Sequence, residues 1–450
     1  MRVWAASLIL LAPGAAHAQT LAETLDAAYR NNPTLVAARL NARGADENIT
    51  QARAAYLPQV DLNASAGFRR SDVDLPGGLR EREDTEPQTI GVAATQPLYT
   101  GGFRGAQSDL ARAQSLSARE NLRSVEQQVL LAVIAAYEDV RRDVEVVRIR
   151  QNDADVLARQ LQAANDRFEV GEITRTDVAQ AEARFAGAQA GLSTAQADLE
   201  ASRANFVRLV GEQPVNLAAP PPNPPLPQSL DEALATAREN NPDLGIAEES
   251  VRAARSQVGI ERSQLLPQVS IVAGLNRAVE QQGPDIESEA ATVAAQFSMP
   301  LFEGGYGRSR IRQSRFNAGR AEAEAEAVRR LVEANVVAAW NDVQAATRIV
   351  ASAREQARAN AFALEGVETE QMVGLRTTLD VLNAQQEYLN SQLAVVQAER
   401  DQYVAAHALL STIGALNAAT LAVNAPLYDP DQPPHDMRGM LPWQGQGESP

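Results

Sequence analysis

Apolar positions between Thr20 and Tyr56 recur with the spacing of a helix, and the run is interrupted at Asn31-Asn32-Pro33. Proline can open a helix but cannot continue one, so the pattern predicts two short helices. After Pro58 the spacing changes to alternation, which is typical of a β-strand with one apolar face. The apolar positions of this run are Val60, Leu62, Ala64, Ala66 and Phe68.

A charged segment with proline and glycine, 69–87, predicts a loop that leads to a second alternating run. Two further alternating runs lie on either side of Gly283-Pro284. The apolar positions of these three runs are Ile90, Val92 and Ala94, then Val269, Ile271, Ala273 and Leu275, then Ala291, Val293, Ala295, Phe297 and Met299. The sequence thus predicts two β-hairpins, 59–97 and 268–300.

The strands have two interpretations. Their length of about 9–11 residues suits tilted membrane-crossing strands, but it also suits a small soluble sheet packed on helices. Four strands cannot close a barrel, for which about eight is the smallest useful number. Because open sheet edges are not tolerated in lipid, the membrane interpretation requires several copies of the chain.

Two segments of more than sixty residues, 104–169 and 308–370, contain no proline and almost no glycine. Apolar residues spaced by three and four in the first predict a coiled-coil seam. Each segment ends at a glycine, Gly171 or Gly374, and a Thr-x-x-Asp sequence then predicts the capped start of a returning helix. The result is two long helical hairpins, 103–211 and 306–414.

The chain is an internal duplication. Leu21 to Leu35 returns as Leu230 to Leu244 after 209 positions, and Pro97-Leu98-Tyr99-Thr-Gly101-Gly102 returns at Pro300 after 203. The predicted organisation is therefore a first repeat over 19–215, a proline-rich linker over 216–228, a second repeat over 229–417 and an irregular tail over 418–450. The fold class is α+β, with mainly long antiparallel helices.

Composition excludes most catalytic chemistry. Residues 1–18 have the charged, apolar and small-residue parts of a secretory signal peptide, which predicts export. The chain has no cysteine and no lysine, and it has three histidines. Thiol, Schiff-base and clustered-histidine metal chemistry are therefore not expected, and the net charge of −16 argues against a nucleic-acid partner.

A glycine-rich sequence, Gly304-Gly305-x-Gly307, raises the alternative of a phosphate-binding loop. It lacks the lysine of such loops, and Gly101-Gly102 repeats it at the equivalent position of the first repeat. A strand-to-helix turn is the better interpretation. We expect no enzyme and no cofactor.

Each repeat has two short helices, a strand hairpin, a long helix, a glycine turn and a returning helix. This order, repeated twice after a signal peptide, resembles the TolC family of bacterial outer membrane exit ducts. The paired Asn-Asn-Pro breaks, Pro-Leu-aromatic-x-Gly-Gly junctions and Val-Gly tips carry the resemblance. It implies a homotrimer in outer membrane lipid, with four strands from each chain in a twelve-stranded barrel and the helices continuing as a hollow α-helical barrel across the periplasm. An adaptor protein and an inner-membrane ABC or proton-driven pump dock at the tips.

The resemblance also implies a gate at the tips. Asp380 matches a ring of acids at the constriction, Asn383 stands where a second acid is common, and Arg376 matches an arginine that binds a neighbouring hairpin at positions corresponding to Thr176 and Asp177. Three carboxylates near a threefold axis would bind cations weakly, and no other metal site is expected. The alternative is that Asp177 and Asp380 only cap helices.

The expected adaptor contacts are Val170, Gly171 and Glu172 at one tip and Val373, Gly374 and Leu375 at the other. The alternative is that the glycines serve only the turns. The tail residues Leu427 to Pro430, Arg438-Gly439 and Trp443 resemble those of members that serve type I protein secretion. The resemblance therefore favours protein export over dedicated small-molecule efflux, and proteins, small molecules or both stay as expected cargo. The competing hypothesis for the whole chain is a periplasmic coiled-coil spacer without a pore.

Overall fold

A computed structural model describes residues 18–77, 79–281 and 285–421. The predicted signal peptide, except its last residue, lies outside the described residues, as do the Gly283-Pro284 turn and the tail from residue 422 onward. Within the described part, helices α1 to α8 and strands β1 to β6 follow the order predicted from the sequence, with one addition between β1 and β4.

Each repeat begins with two short helices separated at the Asn-Asn-Pro break. These are α1 Leu21–Asn31 and α2 Pro33–Ala54, then α5 Leu230–Asn240 and α6 Pro242–Ser263. The Asn32 amide donates to the carbonyl of Leu209 at 2.9 Å, and the Asn241 amide donates to that of Thr412 at 2.8 Å. The second asparagine of each break therefore ties the helix junction to the end of the long return helix.

Four antiparallel strands form one sheet in the order β1-β4-β5-β6. Their bounds are β1 Gln59–Ala66, β4 Gln88–Thr100, β5 Gln268–Val279 and β6 Glu287–Ser298. Gln59 lies opposite Thr95 in the first hairpin and Gln268 opposite Ser298 in the second, which is the same register in both repeats. The β4–β5 pairing joins the repeats.

The predicted loop 69–87 was wrong, because the segment forms a second hairpin of β2 Arg69–Leu75 and β3 Leu79–Thr85. Two ion pairs connect its strands across the hairpin, Arg70 with Asp84 at 2.7 Å and Arg82 with Asp72 at 2.8 Å. Opposite charges that face each other across strands stabilise pairing. A charged sequence that suggests a loop can therefore form strands once its charges are matched.

The long helices are α3 Phe103–Glu169, α4 Arg175–Val210, α7 Tyr306–Met372 and α8 Thr378–Thr412. At about 1.5 Å per residue, α3 and α7 are each about 100 Å long. Among the described residues, no helix combines the length and the apolar character needed to cross a membrane.

The chain forms two compact units, each drawing on both repeats. Within the described residues, one unit contains 18–38, 122–242 and 330–421, and the other contains 39–121 and 243–329. The first unit has the bulkier core. Its largest fully buried side chains are those of Leu25, Leu35, Leu130, Val133, Ile134, Tyr137, Phe206, Leu382, His407, Leu409, Ile413 and Leu416.

Candidate functional site

One face of the four-stranded sheet is mainly apolar, with charged residues towards the C-terminal end of β5. The register places Leu62, Val92, Leu275 and Ala291 in one row and Val60, Ala94, Ala273 and Val293 in the row on one side of it. The row on the other side consists of Ala64, Ile90, Arg277 and Glu289. These side chains are exposed rather than packed, with Leu62 at 69%, Val293 at 80% and Phe297 at 69% of their full surface. An exposed apolar face of this extent needs a nonpolar medium or a partner to cover it.

The opposite face of the sheet is polar. The same register places Asp61, Asn63, Ser65, Thr89, Thr95, Asn276, Thr292 and Gln296 on it, interspersed with glycine, alanine and valine. Since one face suits lipid and the other suits water, the sheet has the composition of a wall between the two.

The two outer strands of this sheet, β1 and β6, each pair on one side only within the described residues. An exposed strand edge carries a row of unpaired N–H and C=O groups that can pair with another chain. The edge strand β6 has twelve residues, as many as β5, and β1 has eight. The sheet is therefore open on both sides.

The two strand-to-helix junctions differ in how they are covered. A Cβ atom added to Gly101 would lie 2.7 Å from the Leu266 Cβ atom and 2.8 Å from the Ser263 carbonyl oxygen, whereas one added to Gly304 would meet nothing within 4 Å. Leu301 and Phe302, beside Gly304, are each 91% exposed. The junction at Gly101 in the first repeat is therefore covered by Ser263 and Leu266 of the second repeat, whereas the equivalent junction at Gly304 is exposed.

Both helical hairpins turn through the same backbone structure. Gly171 and Gly374 have positive φ angles of 77° and 81°. Glu172 N–H donates to the Arg167 carbonyl and Leu375 N–H to the Glu370 carbonyl, each at 2.9 Å. This is the Schellman arrangement, in which a left-handed glycine lets the chain satisfy the last carbonyls of the helix.

Asp177 and Asp380 both cap the returning helices, as the Thr-x-x-Asp sequences predict. Asp380 Oδ2 accepts from the backbone N–H of Thr377 at 2.9 Å, and Asp177 Oδ2 accepts from that of Thr174 at 2.9 Å. These hydrogen bonds hold the pKa of both carboxyls below the usual range. Each carboxylate therefore stays charged at neutral pH.

Arg376 and Asn383 bind residues that the sequence did not point to. Arg376 Nε donates to Glu370 Oε2 at 2.7 Å within its own hairpin, and Arg184 Nη2 donates to Asn383 Oδ1 at 3.1 Å. Within the described part of this chain, the structure does not bring Arg376 to Thr176 or Asp177. That contact stays a prediction about neighbouring hairpins.

A buried polar pair lies close to Asn383 on α8. Gln385 Nε2 donates to Asp153 Oδ1 of α3 at 3.2 Å, and both residues are buried. Burial raises the pKa of the Asp153 carboxyl, although the bond from Gln385 opposes the shift. Sequence reasoning missed this pair because the two residues are 232 positions apart.

The predicted adaptor contacts are exposed at the tips. Val170, Val373 and Leu375 retain 73%, 69% and 75% of their side-chain surface, and Met372, which the sequence analysis missed, retains 74%. Apart from the adjoining residues of the chain, no described residue lies within 4 Å of a Cβ atom added to Gly171 or Gly374. The tips therefore present apolar side chains and accessible backbone to solvent.

Comparison with known proteins gives one consistent result. The chain matches the outer membrane efflux protein family over residues 24–212 and 233–415, one match for each repeat. It is 35% identical over 422 residues to the outer membrane efflux protein BepC of Brucella suis, with 93% of this chain and 90% of BepC covered. It is 26% identical to the outer membrane protein TolC of Vibrio cholerae, with 91% and 94% covered.

The same fold occurs in solved structures. A crystal structure of a membrane protein from Pseudomonas aeruginosa superposes with a TM-score of 0.77 at 20% sequence identity. The superposition covers 88% of this chain and 93% of that one. At this identity the likeness concerns the fold alone.

Proposed function

Because this chain belongs to the outer membrane efflux protein family, we propose that it is the trimeric outer membrane duct of an export system that docks an adaptor and an inner-membrane pump. Members of the family are channels rather than enzymes, and the protein resides in the outer membrane of a Gram-negative bacterium. The cargo is proteins, small molecules or both. The observation that carries the proposal is a sheet with one apolar and one polar face, whose outer strand edges are unpaired in the described part of the chain and whose junction at Gly304 is exposed.

The internal duplication indicates what covers the open edge. Within the chain, β4 of the first repeat pairs with β5 of the second, and Gly101 packs on Leu266. The equivalent partners of β6 and Gly304 are β1 and Leu57, and within this chain β4 and β5 lie between β1 and β6. Both β1 and Leu57 are available on a second copy, so each copy repeats the internal contact with the next.

This symmetry also defines the register between copies. The in-chain pairs Thr95 with Val272 and Ala94 with Ala273 translate into Ser298 with Asn63 and Phe297 with Ala64 of the next copy. The first translated pair lies on the polar face and the second on the apolar face. Since a slip of one residue would mix the faces, this register is the one that keeps the wall continuous.

Cysteine pairs test the proposed register, because the native chain contains no cysteine. Directly opposed strand residues have Cα atoms about 4.5–5.5 Å apart, within the range that a disulfide spans. Under mild oxidation, Ser298→Cys with Asn63→Cys is expected to give covalently linked dimers and trimers on a denaturing gel. Thr95→Cys with Val272→Cys should form its bond within one chain and remain a monomer.

The slipped pair Ser298→Cys with Leu62→Cys is the negative control, because its side chains point to opposite faces. A monomeric product from Ser298→Cys with Asn63→Cys, while the in-chain pair oxidises, would contradict the proposed assembly. That result would favour the competing hypothesis of a periplasmic coiled-coil spacer, for which the protein would be extracted without detergent.

The hairpin tips fit the docking and gating part of the proposal. Val170, Gly171 and Glu172 with Val373, Gly374 and Leu375 offer the adaptor an apolar, backbone-accessible surface. Asp380, Asn383 and Arg376, with Thr176 and Asp177 on neighbouring hairpins, form the constriction. The ion pair between Arg376 and Glu370 is specific to the second tip, because the first tip has Ile173 and Arg167 at the equivalent positions.

A further inference from the structure

The polar face of the four-stranded sheet carries one ionisable side chain. Reading the register across all four strands, the residues on that face are small or uncharged except for Asp61 on β1. We propose that the Asp61 carboxylates form a second charge filter, inside the sheet-lined part of the pore, that favours cations over anions among small permeating solutes. This inference rests on the proposed channel, in which the polar face lines the lumen.

The Asp61 carboxylate is exposed to solvent and has small neighbours. The row across the sheet reads Asp61, Ala93, Gly274 and Thr292, so the two residues next to Asp61 in that row are alanine and glycine. Strand β1 is exposed along its whole length, and among the described residues the Asp61 carboxylate has no hydrogen bond or ion pair. The charge therefore faces open water rather than a compensating group.

Arg104, near the start of the helix that follows β4, is engaged elsewhere. Arg104 donates to the carbonyls of Pro97 and Leu98 at 3.1 and 2.8 Å and stacks over the Tyr56 ring. Pro97 is four residues beyond Ala93 on β4, which is about 13 Å along the strand. This exceeds the Debye length of about 10 Å at 0.1 M salt, so Arg104 does little to neutralise Asp61.

The filter is distinct from the one proposed at Asp380. The Asp61 carboxylates stand on a wide ring of strands, where water separates them, so their effect depends strongly on ionic strength. A solute within about 7 Å of one carboxylate feels a potential large enough to alter its local concentration about twofold at 0.1 M salt. Selectivity from Asp61 should therefore be modest at high salt and pronounced at low salt.

Asn63 offers a place to measure this potential directly. It lies two residues beyond Asp61 on the same face of β1, about 7 Å away. In Asn63→Cys protein, the single thiol can react with a cationic or an anionic methanethiosulfonate of similar size in intact outer membranes. The ratio of the two rates reports the local potential independently of the tip constriction.

Adding Asp61→Asn to Asn63→Cys is expected to lower the cation-to-anion rate ratio about threefold near 0.1 M salt and about fivefold near 0.01 M. Asp61→Glu, which keeps the charge, should leave the ratio within experimental error of the parent. An unchanged ratio in Asp61→Asn, with a reactive thiol, would overturn the filter.

Leu62→Cys separates this result from failure of the channel itself. Its side chain lies on the apolar face and is expected to react slowly with both water-borne reagents. If Leu62→Cys and Asn63→Cys reacted equally fast, the sheet would not be a wall between lipid and water. The proposed function would then fail, and the filter with it.

Discussion

Asp46 and Arg255 occupy equivalent positions in the two repeats but carry opposite charges. Asp46 pairs with Arg119 at 3.3 Å and also accepts from the Ser115 hydroxyl, while Arg255 pairs with Glu322 at 2.7 Å. The first pair links α2 to α3 and the second links α6 to α7. The acid and the arginine have thus exchanged helices between the two repeats. The first pair is largely buried, whereas the second is exposed and contributes about 0–1 kcal/mol.

The buried Asp153 predicts a pH-dependent stability. Burial raises the pKa of its carboxyl in the folded protein, so the folded state favours the protonated form. The ionised carboxylate then costs stability above the unfolded pKa of about 3.9, and the cost grows until the pH passes the folded pKa. Asp153→Asn should therefore raise the melting temperature at about pH 8 and raise it less at about pH 5.

The measurement is thermal unfolding of the detergent-solubilised protein followed by helical circular dichroism. Asp155→Asn is the matched control, because Asp155 lies on the same helix, is exposed and accepts a hydrogen bond from the exposed Gln151. It removes the same charge without removing a buried one. Equal shifts for both variants at both pH values would mean that burial of Asp153 has no energetic cost.

Among the elements, the two helical hairpins share a backbone and differ in chemistry at the tip. Glycine supplies the left-handed turn in both, and Thr with Asp caps the returning helix in both. The residue after the glycine is Glu172 in the first hairpin and Leu375 in the second. Glu172 and Leu375 make the same backbone hydrogen bond in the turn, so the turn does not require leucine at this position. The Leu375 side chain is therefore available to contact a partner.

Leu375→Glu therefore tests docking without disturbing the turn, because it places in the second tip the residue that the first tip already has. Stability should change by no more than about 0.5 kcal/mol, as is usual for exposed positions. Pump-dependent export by cells should fall, while the amount of trimer stays constant. Leu375→Met, which keeps an apolar side chain at the same position, serves as the control and should export normally. Normal export by Leu375→Glu would remove Leu375 from the docking surface.

Across the whole molecule, duplication supplies most of the architecture and departures from it mark specialised regions. The hairpin β2–β3 occurs in the first repeat, and the Arg376–Glu370 ion pair occurs in the second. The capping acids are common to both, so capping alone gives no reason for them to differ in function. A difference between Asp177 and Asp380 would have to come from the assembled channel.

Planar-bilayer measurements can reveal that difference. Asp380→Asn and Asp177→Asn remove the same charge from equivalent caps, so their effects on the helices should match. In the proposed constriction, the Asp380 carboxylates are brought close together by the threefold axis, and Asp380→Asn should lower the cation-to-anion permeability ratio about threefold or more. Asp177→Asn should change it little. Equal effects of both variants would leave Asp380 with a capping role only.

The sequence by itself determined the features that depend on near neighbours. Alternation decided which residues share a face of the sheet, Asn-Asn-Pro decided where α1 and α5 end, and glycine followed by Thr-x-x-Asp decided the two tips. These follow from backbone geometry and hydrogen bonds within a few residues. They were sufficient to identify the repeats and the candidate tip residues.

The tertiary structure decided which distant groups meet. It assigned Arg184 to Asn383, which lies 199 positions away, buried Asp153 with Gln385 and paired the strands of the β2–β3 hairpin. It also exposed the unequal covering of Gly101 and Gly304. No local pattern specifies these partners, because an ion pair or a packed glycine depends on the path of the chain between the two groups. For the same reason, the sequence does not distinguish Asp61 from its many other acids. The pairing of the four strands shows that Asp61 is the one ionisable residue on the polar face of the sheet.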